Sequence, residues 1–145
     1  MKFTFFIIIN FMCVASYGQV SKLNQSDLIG CWEFVEYVDT TNLKPITSHK
    51  DAPYSLEFKS NNQFEQLNEK GDWVYDSVNH KMTLYKNEFT ADEKEMAEYL
   101  QLTPREATKA VLSGIKIQNG NLFYLIFSEE LASEIYAKMK RKICP

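Results

Sequence analysis

The feature that most constrains this chain is a series of short segments in which apolar and polar residues alternate, with turn-forming residues between them. In the clearest segment, Tyr54, Leu56 and Phe58 would share one face of a strand, with polar residues on the other face. Asn119-Gly120 between two such segments is a strong hairpin signal, because both positions of that turn favour positive φ. The pattern predicts strands over residues 31–38, 54–59, 63–68, 72–75, 81–86, 115–118, 122–127 and 135–143. We therefore expect an all-β domain, in which only the last segment is ambiguous between strand and helix.

One segment interrupts the strand pattern. Residues 90–100 begin with a capping box, in which Glu93 stands three positions after a threonine N-cap, and this predicts a helix. Residues 103–112 are predicted to form a second helix, with Pro104 at the tolerated first position and Gly114 as the stop. The prediction is therefore an antiparallel barrel-forming sheet with a helical insert between strands 5 and 6.

The first residues are predicted to be a cleaved secretory signal peptide, residues 1–18, followed by one domain over residues 19–145. Lys2 precedes an apolar run, and small residues occupy the −3 and −1 positions of the cleavage site. A transmembrane anchor is an alternative, but Asn10 interrupts a run that is shorter than the roughly 20 residues a span needs. A lipid anchor at Cys13 is a further alternative, although a bulky residue precedes it. We expect a secreted or periplasmic protein without stable membrane insertion after cleavage.

Composition and charge narrow the function classes. The chain has 145 residues, of which 45% are hydrophobic and 14% aromatic, as expected for one globular domain. Its net charge of −3 argues against a nucleic-acid binder, which needs a basic face. His49 and His80 lie in loop-like contexts without nearby metal-ligand partners, so no metal site and no cofactor are predicted. No phosphate loop or nucleophile elbow is present, and we do not expect an enzyme.

Eight short strands must hide their edges, and closure into an up-and-down barrel does so completely. In such a barrel the first and last strands are antiparallel neighbours. Cys31 and Cys144 fall at the start of strand one and the end of strand eight, so we predict a disulfide between them in an exported protein. Two separately buried thiols are the alternative. With the cysteines opposite each other, Trp32 would lie opposite Ile143.

The lengths of the connections predict a barrel with one end closed by short turns and one open end. The two long connections, residues 39–53 and 87–113, both follow odd-numbered strands, whereas the short connections 60–62, 76–80 and 119–120 follow even-numbered strands. Connections after odd strands emerge at the same end. We therefore expect a cup whose mouth carries a long loop and a helical lid, and barrels of about eight strands can hold one small ligand.

The opening of the domain resembles a known family. Gly30 and Trp32, separated by one residue at the entry to the first strand, resemble the Gly-x-Trp motif of lipocalins. Residues 54–64 and 71–73 are similar to lipocalin-like domains that bacteria export. The resemblance implies a lipocalin-type barrel. In that family a late basic residue packs over the tryptophan at the closed end, which implies this role for Arg141.

The inward-facing residues would line the lumen. The predicted set is Trp32, Phe34, Val38, Tyr54, Leu56, Phe58, Trp73, Tyr75, Met82, Leu84, Ile115 and Ile117. These side chains either enclose a pocket for a small apolar or amphipathic ligand or fill a solid barrel. The leading expectation is non-catalytic ligand binding, with Glu36, Val38, Tyr54 and Tyr75 as contacts near the mouth. The alternative is a protein-interaction module, in which the barrel is filled and residues 90–112 bind a protein partner.

Overall fold

Eight antiparallel strands close into one barrel, as the sequence predicted. The computed structural model of the protein describes residues 22–47 and 54–145. The predicted signal peptide and His49 lie outside these ranges. The elements are α1 (Gln25–Leu28), β1 (Gly30–Val38), β2 (Ser55–Phe58), β3 (Gln63–Gln66), β4 (Glu69–Asp76), β5 (Lys81–Lys86), α2 (Ala91–Tyr99), α3 (Pro104–Ala107), β6 (Ala110–Gln118), β7 (Asn121–Ser128) and β8 (Ser133–Lys142). Each strand pairs with the next along the chain, and β8 closes the ring against β1.

The barrel interior contains the apolar residues that the alternation placed on one face. Trp32, Trp73 and Met82 are completely buried there. Every predicted inward apolar side chain except Val38 belongs to this core or packs against it. The buried core has members on the inner faces of all eight strands. Their burial therefore supplies the main favourable free energy of the closed sheet.

The two ends of the barrel differ, as predicted. At one end, which we call the lower end, residues 59–62, 77–80 and 119–120 form tight turns, and α1 covers the opening with Leu28 fully buried. At the other, upper end, α2 and α3 belong to the long connection between β5 and β6. None of the helices within residues 22–47 and 54–145 combines the length and the apolar character that crossing a bilayer requires.

The closing pair of strands carries the predicted disulfide between Cys31 and Cys144, whose Cα atoms lie 5.3 Å apart. The predicted register is wrong by two residues, because Trp32 lies opposite Arg141 rather than Ile143. Cys144 lies beyond the end of β8, so the disulfide joins diagonal positions instead of opposite ones. Side chains repeat every two residues along a strand, and a shift of two therefore leaves each one on its predicted face.

A β-bulge in β1 overturns the predicted inward orientation of Glu36 and Val38. The pairing with β8 shifts between Phe34 and Glu36, so that Glu36 lies opposite Lys138. Lys138 is on the outer face, because its neighbour Ala137 is buried in the barrel core. Glu36 accepts a hydrogen bond from the Lys138 ammonium at 2.7 Å, and Val38, although fully buried, lies outside the core of the lumen. The extra residue of a bulge reverses the alternation beyond it, which a strictly periodic pattern does not reveal.

The helical insert is present but shorter than predicted. The side chain of Thr90 accepts a hydrogen bond from the Glu93 N–H, and the capping box starts α2 as expected. Residues 110–112, predicted as helix, instead pair with residues 82–84 of β5. Gly114 is not a helix stop, because it lies within β6 at φ 60°, where the pairing with β7 is shifted. Pairing with β5 outweighs the local helix preference of this segment.

An ion pair attaches α2 to the barrel wall. The Lys86 ammonium on β5 lies 2.7 Å from a carboxylate oxygen of Glu93 and 3.0 Å from one of Glu69. The hydrogen bond from Lys86 is the main reason that the pKa of Glu93 lies below its usual 4.5. A carboxyl whose pKa is lowered by folding stabilises the fold above its unfolded pKa, and this contribution is lost as the pH falls through its folded pKa.

We therefore expect Glu93→Gln to lower stability at neutral pH, because glutamine retains the capping oxygen but loses the ion pair with Lys86. The deficit relative to wild type should shrink as the pH falls below 4.5. Urea unfolding at a series of pH values measures this difference. Glu95→Gln on the same helix removes an exposed carboxylate that forms no salt bridge among the described residues, and its difference from wild type should stay small throughout. A Glu93→Gln deficit that grew on acidification would contradict the assignment.

Candidate ligand-binding cleft

The barrel wall opens at the lower end because β6 extends further than β5. The ladder between these two strands stops at the pair Met82 and Leu112. One further hydrogen bond joins them, from the Ile115 N–H to the His80 carbonyl at 3.0 Å. Beyond it, β6 continues to Gln118 and pairs only with β7. A gap therefore forms between the β4–β5 turn and the last residues of β6.

The segment before β1 lies across this gap and turns it into a half-open cleft of about 740 Å³. Four pieces of chain line it: the N-terminal segment with α1, the β4–β5 turn, the end of β6, and Arg141 of β8. The lining residues are Lys22, Leu23, Asn24, Asp27, Ser77, His80, Ile115, Lys116, Ile117 and Arg141. Apolar side chains form the inner part of the lining, since Leu23, Ile115 and Ile117 all belong to or pack against the barrel core.

Arg141 packs over Trp32 at the lower end, the contact that the family resemblance implied. Its guanidinium carbon lies 4.5 Å from the centre of the Trp32 ring, a cation–π contact. The same group donates hydrogen bonds to the carbonyls of Ile29 and Asp27, at 3.0 and 2.6 Å. Gly30 has a φ of 131°, a backbone conformation that L side chains rarely adopt, which explains why glycine precedes the tryptophan by two positions.

The charges around the cleft are predominantly positive. Lys22, Lys116 and Arg141 line it, against the single carboxylate of Asp27. That carboxylate accepts a hydrogen bond from the Asn24 N–H at 2.8 Å and so caps its own helix. In the part of the chain that the structure describes, none of the three cations forms a salt bridge with a carboxylate. The Lys116 ammonium instead lies 4.0 Å above the ring of Tyr136 on the outer wall.

Tyr75 lies at this lower end and not at the predicted mouth. It is near the end of β4, and its hydroxyl lies 3.3 Å from Nδ1 of His80, a residue that lines the cleft. Burial raises the pKa of the Tyr75 hydroxyl, and the negative charges of Asp76 and Asp27 raise it further. The hydroxyl therefore remains protonated at neutral pH. Tyr75 therefore lies on the predicted face of the predicted strand, but at the end of the barrel opposite to the predicted mouth.

Aromatic rings pack against one another in the lumen at the upper end, where the mouth was predicted. Phe34 stacks on Tyr54 with ring centres 5.0 Å apart and contacts Tyr37 at 4.8 Å. The hydroxyl groups of Tyr54 and Tyr124 are hydrogen-bonded to each other. Tyr54 thus lies near the predicted mouth, but its ring contributes to a packed interior. Of the four predicted contacts, only Tyr75 adjoins the cleft, while Glu36 and Val38 face outwards.

The comparisons with known proteins add no family or relative. No family model matches the sequence, and no curated protein is significantly similar to it. The site is therefore described by its own residues: an apolar inner wall, a cationic rim and a buried tyrosine beside a histidine.

Proposed function

We propose that this protein is an exported, lipocalin-like binding protein that takes up small amphipathic ligands without catalysis, and that the lower-end cleft is its binding site. The observation that carries the proposal is a cleft of about 740 Å³ with apolar residues inside and polar residues at its rim. Ligand pockets commonly have about 300–1,000 Å³, largely apolar walls and a few polar groups. The disulfide supports export, because such bonds persist in oxidising compartments.

The apolar inner wall supplies the affinity for a hydrocarbon chain. Leu23 and Ile117 are only partly buried and present apolar surface to a ligand, whereas Ile115, at 2% exposed, packs behind them and presents almost none. A chain that covers this wall gains about 25 cal/mol for each Å² of apolar surface removed from water. The rigid strand β6 holds two of these side chains, so that little conformational entropy is lost on binding.

The arrangement of the polar groups supports binding rather than catalysis. Ser77 and His80 both line the cleft, but no hydrogen bond joins them within the described residues. Nδ1 of His80 is directed to the hydroxyl of Tyr75. A nucleophile activated by a general base needs direct hydrogen-bond contact between the two groups.

The test is a matched pair of substitutions in the β4–β5 turn. Ser77→Trp fills the cleft, whereas Val78→Trp adds the same ring at a position that is 79% exposed and does not line it. In calorimetric titrations with dodecanoate and dodecanol, we expect Ser77→Trp to weaken binding about tenfold or more and Val78→Trp to bind like wild type. If wild type binds neither probe, or Ser77→Trp binds as well as wild type, the proposal fails.

A second candidate is a protein-interaction surface on the insert. Aromatic rings pack against one another in the upper lumen, while Met96, Tyr99 and Leu102 in and after α2 are 43%, 87% and 49% exposed. Clustered exposed apolar residues are typical of protein interfaces. In this case Tyr99→Asp should abolish retention of a partner from the exported protein fraction, and Val78→Asp at the opposite end should not. A wild-type protein that retains no partner would remove this candidate.

A further inference from the structure

We propose that the lower-end cleft selects ligands whose polar end is an anion, such as a long-chain carboxylate. This inference rests on the proposed function and names its ligand class. The polar end would lie at the rim beside Lys22, and the hydrocarbon chain would extend along Leu23 and Ile117.

The first observation is the set of cations without carboxylate partners. Elsewhere on the described surface, six lysines form salt bridges with carboxylates: Lys59, Lys70, Lys86, Lys109, Lys138 and Lys140. Lys22, Lys116 and Arg141 around the cleft form none among the described residues. Of the other described lysines, Lys44, Lys81, Lys94 and Lys142 form none either, but none of these four lines the cleft, where three such cations share one concave site. Clefts lined by one sign of charge attract the opposite sign and raise its local concentration.

The second observation concerns the one acidic residue in the lining. Asp27 accepts a hydrogen bond from the backbone of Asn24, and its own carbonyl accepts one from Arg141. Its carboxylate therefore acts in the capping box of α1, and no cation of the cleft is paired with it. A bound anion would therefore be the counter-charge of Lys22, while Lys116, whose ammonium lies over the Tyr136 ring, adds positive charge from the outer wall.

The third observation is a backbone donor on the free edge of β6. The Ile115 N–H donates to His80 across the gap, and successive N–H groups of a strand point to opposite sides. The N–H of Ile117 therefore points to the same side as that of Ile115, where β5 no longer accompanies β6. Backbone N–H groups that lack a strand partner are suitable donors to an anion, because charge-assisted hydrogen bonds are stronger than neutral ones.

The experiment compares three probes with the same chain and different polar ends: dodecanoate, dodecanol and dodecyltrimethylammonium, each below its micelle concentration. We expect dodecanoate to bind about tenfold more tightly than the neutral and cationic probes, with a preference that declines as salt is added. The double variant Lys22→Gln/Lys116→Gln should lose about tenfold in dodecanoate affinity and keep its dodecanol affinity. Lys94→Gln, which removes an exposed charge on α2, is the matched control and should change neither.

The outcomes separate this inference from the proposed function. If dodecanol binds as tightly as dodecanoate, or the double variant retains the preference, the anion selectivity is wrong while ligand binding stands. If no probe binds, both proposals fail. Flotation with vesicles of phosphatidylcholine, with and without phosphatidylglycerol, distinguishes a free amphiphile from a lipid headgroup in a membrane. Binding to the anionic vesicles without binding to free dodecanoate would overturn the inference.

Discussion

Removal of the disulfide is expected to lower the free energy of unfolding by about 4 kcal/mol, since the bond closes a very long loop. Cys31 and Cys144 are 113 residues apart in the chain, and their cross-link removes much of the conformational freedom of the unfolded state. The bond also links β1 to the residues just after β8. Since β1 and β8 are the two strands whose pairing closes the barrel, the bond holds the closure together. The double variant Cys31→Ala/Cys144→Ala should therefore unfold at much lower urea concentrations than wild type.

Alanine is the suitable replacement because Cys31 is 3% exposed and a serine hydroxyl would be buried there. Reduction of the wild-type protein should reproduce the loss, and adding reductant to the double variant should have no further effect. A loss below about 1 kcal/mol, in either form of the experiment, would show that β1 and β8 hold the barrel closed without the cross-link.

Truncation of Trp32 is expected to destabilise the barrel by about 3–5 kcal/mol, the usual cost of removing a large buried aromatic side chain. Trp32 is completely buried, and its indole N–H donates to the Leu28 carbonyl at 2.8 Å. Trp32→Ala would leave a cavity at the lower end, an unpaired carbonyl on α1 and no ring beneath Arg141. Urea unfolding followed by circular dichroism measures the loss without relying on tryptophan fluorescence.

Two further variants separate the contribution of the indole hydrogen bond and that of burial to the stability lost in Trp32→Ala. Trp32→Phe keeps an apolar ring but removes the indole donor, and should lose less than Trp32→Ala. Val74→Ala truncates an apolar side chain that is 56% exposed on the outer face, and should cost much less. If Trp32→Ala proved as mild as Val74→Ala, the lower end of the barrel would not depend on the tryptophan for its packing.

Local sequence patterns predicted the strands of this protein because the alternation of apolar and polar residues is visible within a single segment, whatever the neighbouring strands are. They also predicted the disulfide, since an even number of antiparallel strands brings the ends of the chain together. The contact between Trp32 and Arg141 followed from the family resemblance. The predictions were wrong where the structure depends on how one strand pairs with its neighbour. The helix preference of residues 103–112 extended into a segment that pairs with β5, and the bulge after Phe34 appears only in the pairing with β8.

The amino-acid sequence by itself determined that the chain closes into an eight-stranded barrel and that the apolar face of each strand points inwards. The apolar face depends on the alternation within each strand, and the closure depends on the number of strands. The tertiary structure alone decided where the cleft lies. β6 extends past the first residue of β5, and the segment from Lys22 to Asp27 lies across the resulting gap. A gap of this kind depends on where two neighbouring strands end relative to each other. No single segment contains that information, and the candidate site therefore appears at the end of the barrel opposite to the one that loop lengths predicted.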